Sequence, residues 1–431
     1  MKLIRVADPA AEAAGLRRSA AIPDSVIQGA GDIMKGVAEG GDAALLSYAE
    51  KFDGVRPAAL RITRQEVDKA YKDISLEQAK TIRLMKERLE KGERALLKRL
   101  RGITLSFEGV SIERQLSPVS SVGCYVPGGK ARYPSTLVMC AVPARIAGVK
   151  RIVAISPARK DGTVDPLTVA AADICGVKEF YKVGGAHGIA ALAYGTETIR
   201  PVSKIVGPGG MYVTAAKLVA SRTVSTDMVA GPTELLIYAD STADSRIVAV
   251  DLVSQAEHSA DTVCGLVTTS ESLASQVQSH VDGILQNKDI ERREIISASL
   301  EKNGFIAICK GVPACIEFAN EFAPEHIEII AKNADSVARR IRSAGLVLVG
   351  PMTPSSASDY CLGSNHVLPT LGFGKSRGSL SVLDFVKIVN KVTVTREGLA
   401  RAARPIREIA LSEGLPNHYE AVKARMEEKE Q

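Results

Sequence analysis

Between residues 119 and 380 the chain alternates short apolar runs with segments of helical period, and this alternation constrains the fold more than any other feature. The runs at 151–156, 203–206 and 233–238 each have the length of a buried strand. Strands that alternate with helices at this spacing form parallel sheets with helices packed on their faces. We therefore predict an α/β protein with two parallel sheets.

Changes of sequence texture divide the chain into four predicted regions. Residues 1–118 are predicted to be helical and to lead into the first α/β unit, because apolar residues recur on one helical face of the segment 75–101. Residues 119–232 form an inserted α/β unit with glycine-rich turns, and residues 233–380 form a second unit. Residues 381–431 are predicted to be a charged helical tail.

Composition and charge exclude several classes of protein. The 431 residues are 45% hydrophobic and 24% charged, which excludes global disorder and fibrous repeats. The net charge of +6 is spread along the chain, so it favours anionic ligands but not nucleic acid. No apolar run approaches the about 18 residues of a membrane span, and we expect no membrane partner. Most of the seven cysteines sit in apolar runs without a CxxC motif, as in a reducing compartment, so we expect the cytoplasm.

Two glycine-rich turns, at 125–129 and 206–210, lie where a predicted strand leads into a helix. Such turns expose backbone N–H groups at a helix N-terminus, where a phosphate can bind. Neither turn matches the dinucleotide fingerprint G-x-G-x-x-G. In the second turn Gly207 and Gly209 fit the first two glycines, but Tyr212 occupies the position of the third. A structural role and a phosphate-binding role are equally open for both turns.

Two of the six histidines lie beside residues that suggest a chemical role. Gln255 and His258 share one face at the end of a predicted helix and form either half of a zinc site or an ordinary helix end. Glu325 and His326 open a predicted strand, and a carboxylate beside an imidazole can transfer protons near neutral pH. Because strand neighbours face opposite ways, this pair reaches one site only at the mouth of the strand.

Three further histidines lie in settings that are unusual for a surface. His366 follows Asp359, His418 follows Glu413 across a Gly/Pro turn, and His187 opens a helix beside a glycine turn. Each placement alone has a structural explanation. Together, these placements indicate a common functional site.

Motifs distributed over the chain resemble those of the histidinol dehydrogenase family. The resemblance extends from about residue 20 to 425 and rests on the runs 125–139, 183–186, 189–196, 230–232, 254–258, 323–326, 359–360, 365–370 and 413–418. It implies zinc-dependent oxidation of L-histidinol through L-histidinaldehyde to L-histidine with two NAD⁺, the last step of histidine biosynthesis. The implied fold is a pair of incomplete Rossmann-like units, of the aldehyde dehydrogenase type, in an intertwined homodimer.

The resemblance also implies a role for individual residues. The implied zinc ligands are Gln255, His258, Asp359 and the partner subunit's His418, so that the tail 381–431 completes a neighbouring active site. The implied catalytic pair is His326, the base of the redox steps, and Glu325, which activates the water that hydrates the aldehyde. The zinc ligands and His326 also contact the substrate, together with Thr233, His366 and Glu413. The implied nucleotide contacts are Tyr125, His187 and Gly210.

The sequence departs from the family pattern mainly on the nucleotide side. His187 stands where Gln is common and Gly210 where Asn is common, which puts cofactor affinity in question. Thr233 replaces a common Ser, Ser355 a common Glu and Ser358 a common Gly. The alternatives are a dehydrogenase of another small alcohol, such as a sulfonated diol, a nucleotide-independent zinc hydrolase, or a non-catalytic binding protein.

Overall fold

The computed structural model describes residues 1–18, 22–100, 102–128, 132–228 and 231–427. Residues 129–131 of the first glycine-rich motif and Ala230 lie outside the described residues. In the described part the strands are β1 (Lys2–Arg5), β2 (Ile103–Phe107), β3 (Val110–Pro118), β4 (Ser121–Tyr125), β5 (Arg151–Ile155), β6 (Glu179–Tyr181), β7 (Lys204–Val206), β8 (Ser225–Thr226), β9 (Glu234–Ala239), β10 (Val263–Thr268), β11 (Phe305–Ile308), β12 (His326–Ile330), β13 (Leu346–Val349) and β14 (Val386–Val394).

The helices of the same residues surround three sheets. They are α1 (Pro9–Arg18), α2 (Asp24–Asp53), α3 (Arg64–Asp73), α4 (Leu76–Arg99), α5 (Pro134–Ile146), α6 (Pro166–Ile174), α7 (Gly185–Tyr194), α8 (Met211–Ala220), α9 (Ser245–Ala256), α10 (Glu271–Gln286), α11 (Arg293–Lys302), α12 (Val312–Phe322), α13 (Ala334–Ala338), α14 (Ser355–Ser358), α15 (Arg396–Ser412) and α16 (Pro416–Glu427). None of these helices is long and apolar enough to cross a membrane.

The first parallel sheet has five strands in the order β6-β5-β4-β7-β8. Helices α5 and α6 cover one face together with α4, and helices α7 and α8 cover the other together with α2. The chain order reverses between β4 and β7, and both glycine-rich turns follow these two strands. Ligands of open parallel sheets bind at the carboxyl ends of strands at such a reversal.

The second parallel sheet has six strands in the order β1-β11-β10-β9-β12-β13. Its central strands are largely apolar because both faces are covered: β9 and β12 are buried along their whole length between α1 and α12 on one side and α9 and α10 on the other. The two parallel sheets confirm the predicted α/β fold.

The predicted helical character of the N-terminal region and of the tail is only partly correct. Strands β2, β3 and β14 form an antiparallel sheet in which Val386 pairs with Pro118 and Val394 with Val110. We predicted helix beyond residue 380, and this is wrong for β14. Its pairing partner lies about 270 residues earlier, and no local pattern of burial marks it, since nearly all of its residues are exposed.

Candidate active site

A cavity of about 990 Å³ lies between the two parallel sheets. The turn that follows β7 forms one wall with Pro208, Gly209 and Gly210, at the carboxyl edge of the five-stranded sheet. The opposite wall is the amino edge of the six-stranded sheet. The predicted site residues on this wall and around it are Thr233, Gln255, His258, Glu325, His326, Asp359 and His366.

Glu325 and His326 lie at the mouth of β12, and both line the cavity, as the sequence required. The backbone turns sharply before them because Ala323 adopts a left-handed conformation with φ of 47°. One carboxylate oxygen of Glu325, Oε2, accepts hydrogen bonds from the Thr233 hydroxyl at 2.5 Å and from the Glu234 backbone N–H at 2.8 Å. The other oxygen of Glu325 is thus left for a proton or a water molecule.

The surroundings of His326 favour one neutral tautomer. Its Nδ1 lies 3.3 Å from the backbone oxygen of Glu234, so Nδ1 carries the proton and donates it to this bond. Nε2 is buried, has no hydrogen-bond partner in the described residues and lies 4.0 Å from Asp359 Oδ1. Burial lowers the pKa of His326 to about 3, which keeps the imidazole neutral at neutral pH. The ring therefore presents an unprotonated nitrogen.

Burial raises the pKa of Glu325 well above its usual range, while the bonds from Thr233 and Glu234 act in the opposite direction. A carboxyl group with a raised pKa can both accept and return a proton near neutral pH. The cavity therefore contains two adjacent proton-transfer groups, one an imidazole nitrogen and one a carboxylate oxygen.

The candidate metal donors form a second group on the same wall. His258 Nε2 lies 3.9 Å from Asp359 Oδ2, and Gln255 is fixed by donating to Thr233 at 2.8 Å and accepting from Ser355 at 3.2 Å. His258 lies just beyond α9, which ends at Ala256 rather than at the predicted residue 258. One amide oxygen, one imidazole and one carboxylate therefore converge on this part of the cavity.

The donor set fits a divalent cation whose coordination a further ligand completes. Burial raises the pKa of Asp359 to about 7. Among the described residues of one chain, no three His, Cys, Asp or Glu side chains are grouped closely enough to hold a metal. A zinc ion at Gln255, His258 and Asp359 would thus need a fourth ligand from elsewhere.

His366 lines the cavity beside these donors and is held by two polar contacts. Its Nδ1 lies 2.7 Å from the backbone oxygen of Asp359, and its Nε2 lies 3.4 Å from the Thr136 hydroxyl. Burial lowers the pKa of His366 to about 4, so the ring is neutral and can hydrogen-bond a substrate without charging.

The predicted nucleotide residues are only partly brought to the cavity. Gly210 lines it, and a Cβ atom at this position would meet no other atom within 4 Å, so a larger residue would also fit. Tyr125 and His187 are buried and lie outside the residues that line the cavity. His187 packs against the stacked rings of Tyr48 and Phe52, with Nε2 3.5 Å from Asp53. The nucleotide contacts of Tyr125 and His187 remain predictions.

Glu413 directly follows α15, and His418 lies in α16. None of the residues of α16 is buried. Both residues are exposed, and neither is among the described residues that line the cavity of this chain. Their contribution to a partner's site remains a prediction.

Glu234 is a supporting residue that sequence reasoning missed. Its side chain is fully buried, pairs with Arg17 of α1 and accepts from the backbone N–H groups of Glu325 at 3.2 Å and Leu371 at 3.0 Å. The backbone N–H of Glu234 also donates to Glu325, and its backbone oxygen accepts from His326, so Glu234 holds both members of the proton-transfer pair. A charged residue opening an otherwise apolar strand was the signal that could have revealed it.

Comparison with known proteins identifies the family. The histidinol dehydrogenase family model matches residues 16–426. The histidinol dehydrogenase of Methanopyrus kandleri is 42% identical over 416 residues, which cover 95% of this chain and 96% of that protein. The chain belongs to the histidinol dehydrogenase family. The enzyme of Lactococcus lactis is 40% identical over 92% of each chain.

A solved structure of a histidinol dehydrogenase has the same fold as this chain. The crystal structure of histidinol dehydrogenase from Elizabethkingia anophelis superposes with a TM-score of 0.89 at 33% identity, covering 99% of this chain and 98% of that one. The agreement extends over both parallel-sheet units and therefore includes the two walls of the cavity.

Proposed function

We propose that the protein is a histidinol dehydrogenase, which oxidises L-histidinol through L-histidinaldehyde to L-histidine with two NAD⁺. The observation that carries this proposal is the convergence of a proton-transfer pair and three metal donors in one cavity between the two sheets. A zinc hydrolase could use the same three metal donors. It would not explain the glycine-rich turn after β7, which forms the opposite wall of the cavity.

The net reaction removes two hydrides and two protons from the carbinol carbon and its oxygens and adds one water. When bound, NAD⁺ accepts the hydrides and zinc orients the imidazole and amino nitrogens of the substrate. Gln255, His258 and Asp359 would hold the zinc, together with the partner's His418. The proton movements belong to residues of this chain.

His326 is the proposed base of both redox steps. His326 lines the cavity, its Nε2 has no hydrogen-bond partner among the described residues, and the bond from Nδ1 to the Glu234 carbonyl stabilises the ring when Nε2 gains a proton. Each hydride leaves as Nε2 takes the proton of the adjacent hydroxyl, first of histidinol and then of the hydrated aldehyde.

Glu325 is the proposed base for hydration of the aldehyde. Two donors hold its Oε2, so Oε1 is free to take a proton from a water molecule as that water adds to the carbonyl carbon. His326, protonated in the first oxidation, returns its proton to the carbonyl oxygen, which completes the gem-diol and leaves Nε2 free to act again in the second oxidation. The buried setting keeps the aldehyde away from bulk solvent between the two oxidations.

We expect the substitution Glu325→Gln to slow oxidation of histidinaldehyde by about 10²-fold or more, because general-base catalysis contributes about 10²–10⁴-fold. Oxidation of histidinol to the aldehyde should fall by less than about tenfold, since that step needs no added water. Initial rates measured separately with histidinol and with histidinaldehyde test this. Glu93→Gln is a matched control, because Glu93 is a buried carboxyl of α4 that is not among the described residues lining the cavity. Equal losses in both half-reactions of Glu325→Gln would contradict the assignment.

A homodimer that shares its active sites accounts for the surfaces that one chain leaves exposed. The antiparallel sheet exposes large apolar side chains, among them Ile103, Phe107, Ile388 and Val392. Contiguous apolar surface of this kind marks protein interfaces. Exposed Glu413 and His418 follow this sheet along the chain, which supports their role as residues donated to a partner subunit.

We place the enzyme in the cytoplasm. Six of the seven cysteines are buried and all seven are free, as expected of a protein from a reducing compartment.

Counting the reduced cofactor per substrate tests the proposed function. Zinc-loaded protein with limiting histidinol and excess NAD⁺ is expected to form two NADH per histidinol, with histidine as product. One NADH per histidinol would indicate an enzyme that stops at the aldehyde. No NADH from histidinol would exclude the proposal, and activity with a sulfonated diol would then favour the related alcohol dehydrogenase.

A further inference from the structure

The glycine turn after β7 is held by a buried ion pair that takes no part in the chemistry described above. Asp227 Oδ2 accepts the backbone N–H of Gly207 at 2.7 Å, and Lys217 Nζ donates to the backbone oxygen of Gly207 at 2.9 Å. Lys217 and Asp227 also form an ion pair with each other. Both polar backbone atoms of Gly207 are therefore fixed by one pair of side chains.

This ion pair is enclosed, with the Lys217 side chain 3% and the Asp227 side chain 0% exposed. Burying two charges costs several kcal/mol of desolvation per ion. The attraction between the two charges is about as large as this cost, so a buried ion pair adds little to the stability of a protein. An apolar pair of similar size would fill the same space at lower cost. The distinctive contribution of Lys217 and Asp227 is therefore geometric, since only charged or polar ends can hold both sides of Gly207.

The pair ties together three elements around the turn. Lys217 lies on α8, which the turn itself begins, and Asp227 follows β8 at the edge of the sheet. Gly207 has φ of 117°, and a Cβ atom there would lie 2.2 Å from the backbone oxygen of Tyr125, so the turn is pressed against the end of β4. Pro208, Gly209 and Gly210 continue from this point along the cavity wall.

We propose that Lys217 and Asp227 are positioning residues that fix the turn 207–210 in the conformation that receives the dinucleotide. The inference rests on the proposed function, because it takes NAD⁺ as the ligand of this wall. Thr233 and Glu325, on the histidinol side of the cavity, lie at the amino edge of the other sheet, whereas Lys217 and Asp227 lie beside the five-stranded sheet. Loss of the pair therefore weakens dinucleotide binding selectively.

Lys217→Met tests the inference by direct binding as well as by kinetics. Calorimetric titration of the zinc-loaded, full-length dimer with NAD⁺ should show a Kd at least about tenfold higher than for wild type. The KM for NAD⁺ should rise in parallel, whereas the KM for histidinol should change by less than about twofold. Lys217→Arg keeps the charge and a donor and should recover most of the affinity.

Arg151→Met is the matched control. Arg151 forms an ion pair with Glu179 at 2.9 Å, at the amino edge of the same sheet and away from the turn, so its loss should leave the Kd for NAD⁺ unchanged. If Lys217→Met does not fold, Asp227→Asn keeps an acceptor for Gly207 without the charge and should raise the Kd by a few fold. An unchanged Kd in the Lys217 or Asp227 variants, or an equal rise in Arg151→Met, overturns the inference alone. A wild-type enzyme that binds no NAD⁺ overturns the proposed function with it.

Discussion

His326→Ala is expected to slow both oxidations, of histidinol and of histidinaldehyde, by about 10³-fold, because one imidazole serves as base for each hydride transfer. The geometry gives the reason: Nδ1 is engaged by the Glu234 carbonyl, and Nε2 has no hydrogen-bond partner in the part of the chain that the structure describes. Alanine leaves neither a base nor a group that could hold one in place. Single-turnover formation of NADH from each substrate measures the two steps separately.

The amount of bound zinc should change little in His326→Ala, since His326 is not among the proposed metal ligands. His280→Ala is a suitable control, because His280 is an exposed histidine of α10 outside the cavity. A loss confined to one of the two oxidations would show that the steps use different bases and would contradict the assignment.

Mixed dimers of His258→Ala and His418→Ala chains are expected to regain about half of the wild-type activity, although either variant alone should be nearly inactive. In such a dimer one site lacks both histidines and the other has both. His258 lies in the cavity wall of one chain, whereas His418 is exposed on its terminal helix, so an intact site combines the two chains. Activity per verified heterodimer and zinc content per dimer are the quantities to measure.

A second mixture controls for nonspecific recovery. His258 and Asp359 lie 3.9 Å apart in the same chain, so a heterodimer of His258→Ala and Asp359→Ala chains has two damaged sites and should stay inactive. Recovery in this control, or its absence in the first mixture, would argue against a site shared between subunits.

The parts of the fold that the sequence predicts well are those whose signal is local. Strands β9 and β12 are buried on both faces, and β9 appears in the sequence as an apolar run after Glu234, with the predicted bounds 233–238 within one residue of the observed ones. The strands β2 and β14 lack such a signal, because their exposed residues are fixed by pairing with β3 rather than by a buried face. The pairing of β14 with a strand about 270 residues earlier cannot be inferred from a local pattern.

The candidate site shows the same division. The chemical types of Glu325, His326 and Asp359 were visible in the sequence, but their common orientation depends on the left-handed turn at Ala323. Arg17 supports this site through Glu234 from 217 residues earlier, and no spacing rule connects the two. The sequence therefore identifies the residues that can react, whereas the residues that position them are found only in the structure.

The place of β1 at the edge of the six-stranded sheet has a consequence for synthesis of the chain. Residues 2–5 pair with residues 305–308, whereas every strand of the five-stranded sheet lies between residues 121 and 226. At about 5–20 residues per second, the ribosome needs on the order of 15–60 s to deliver the partner of the first strand. The five-stranded sheet can thus form before β11 is synthesised, whereas the six-stranded sheet that carries the catalytic wall can be completed only afterwards.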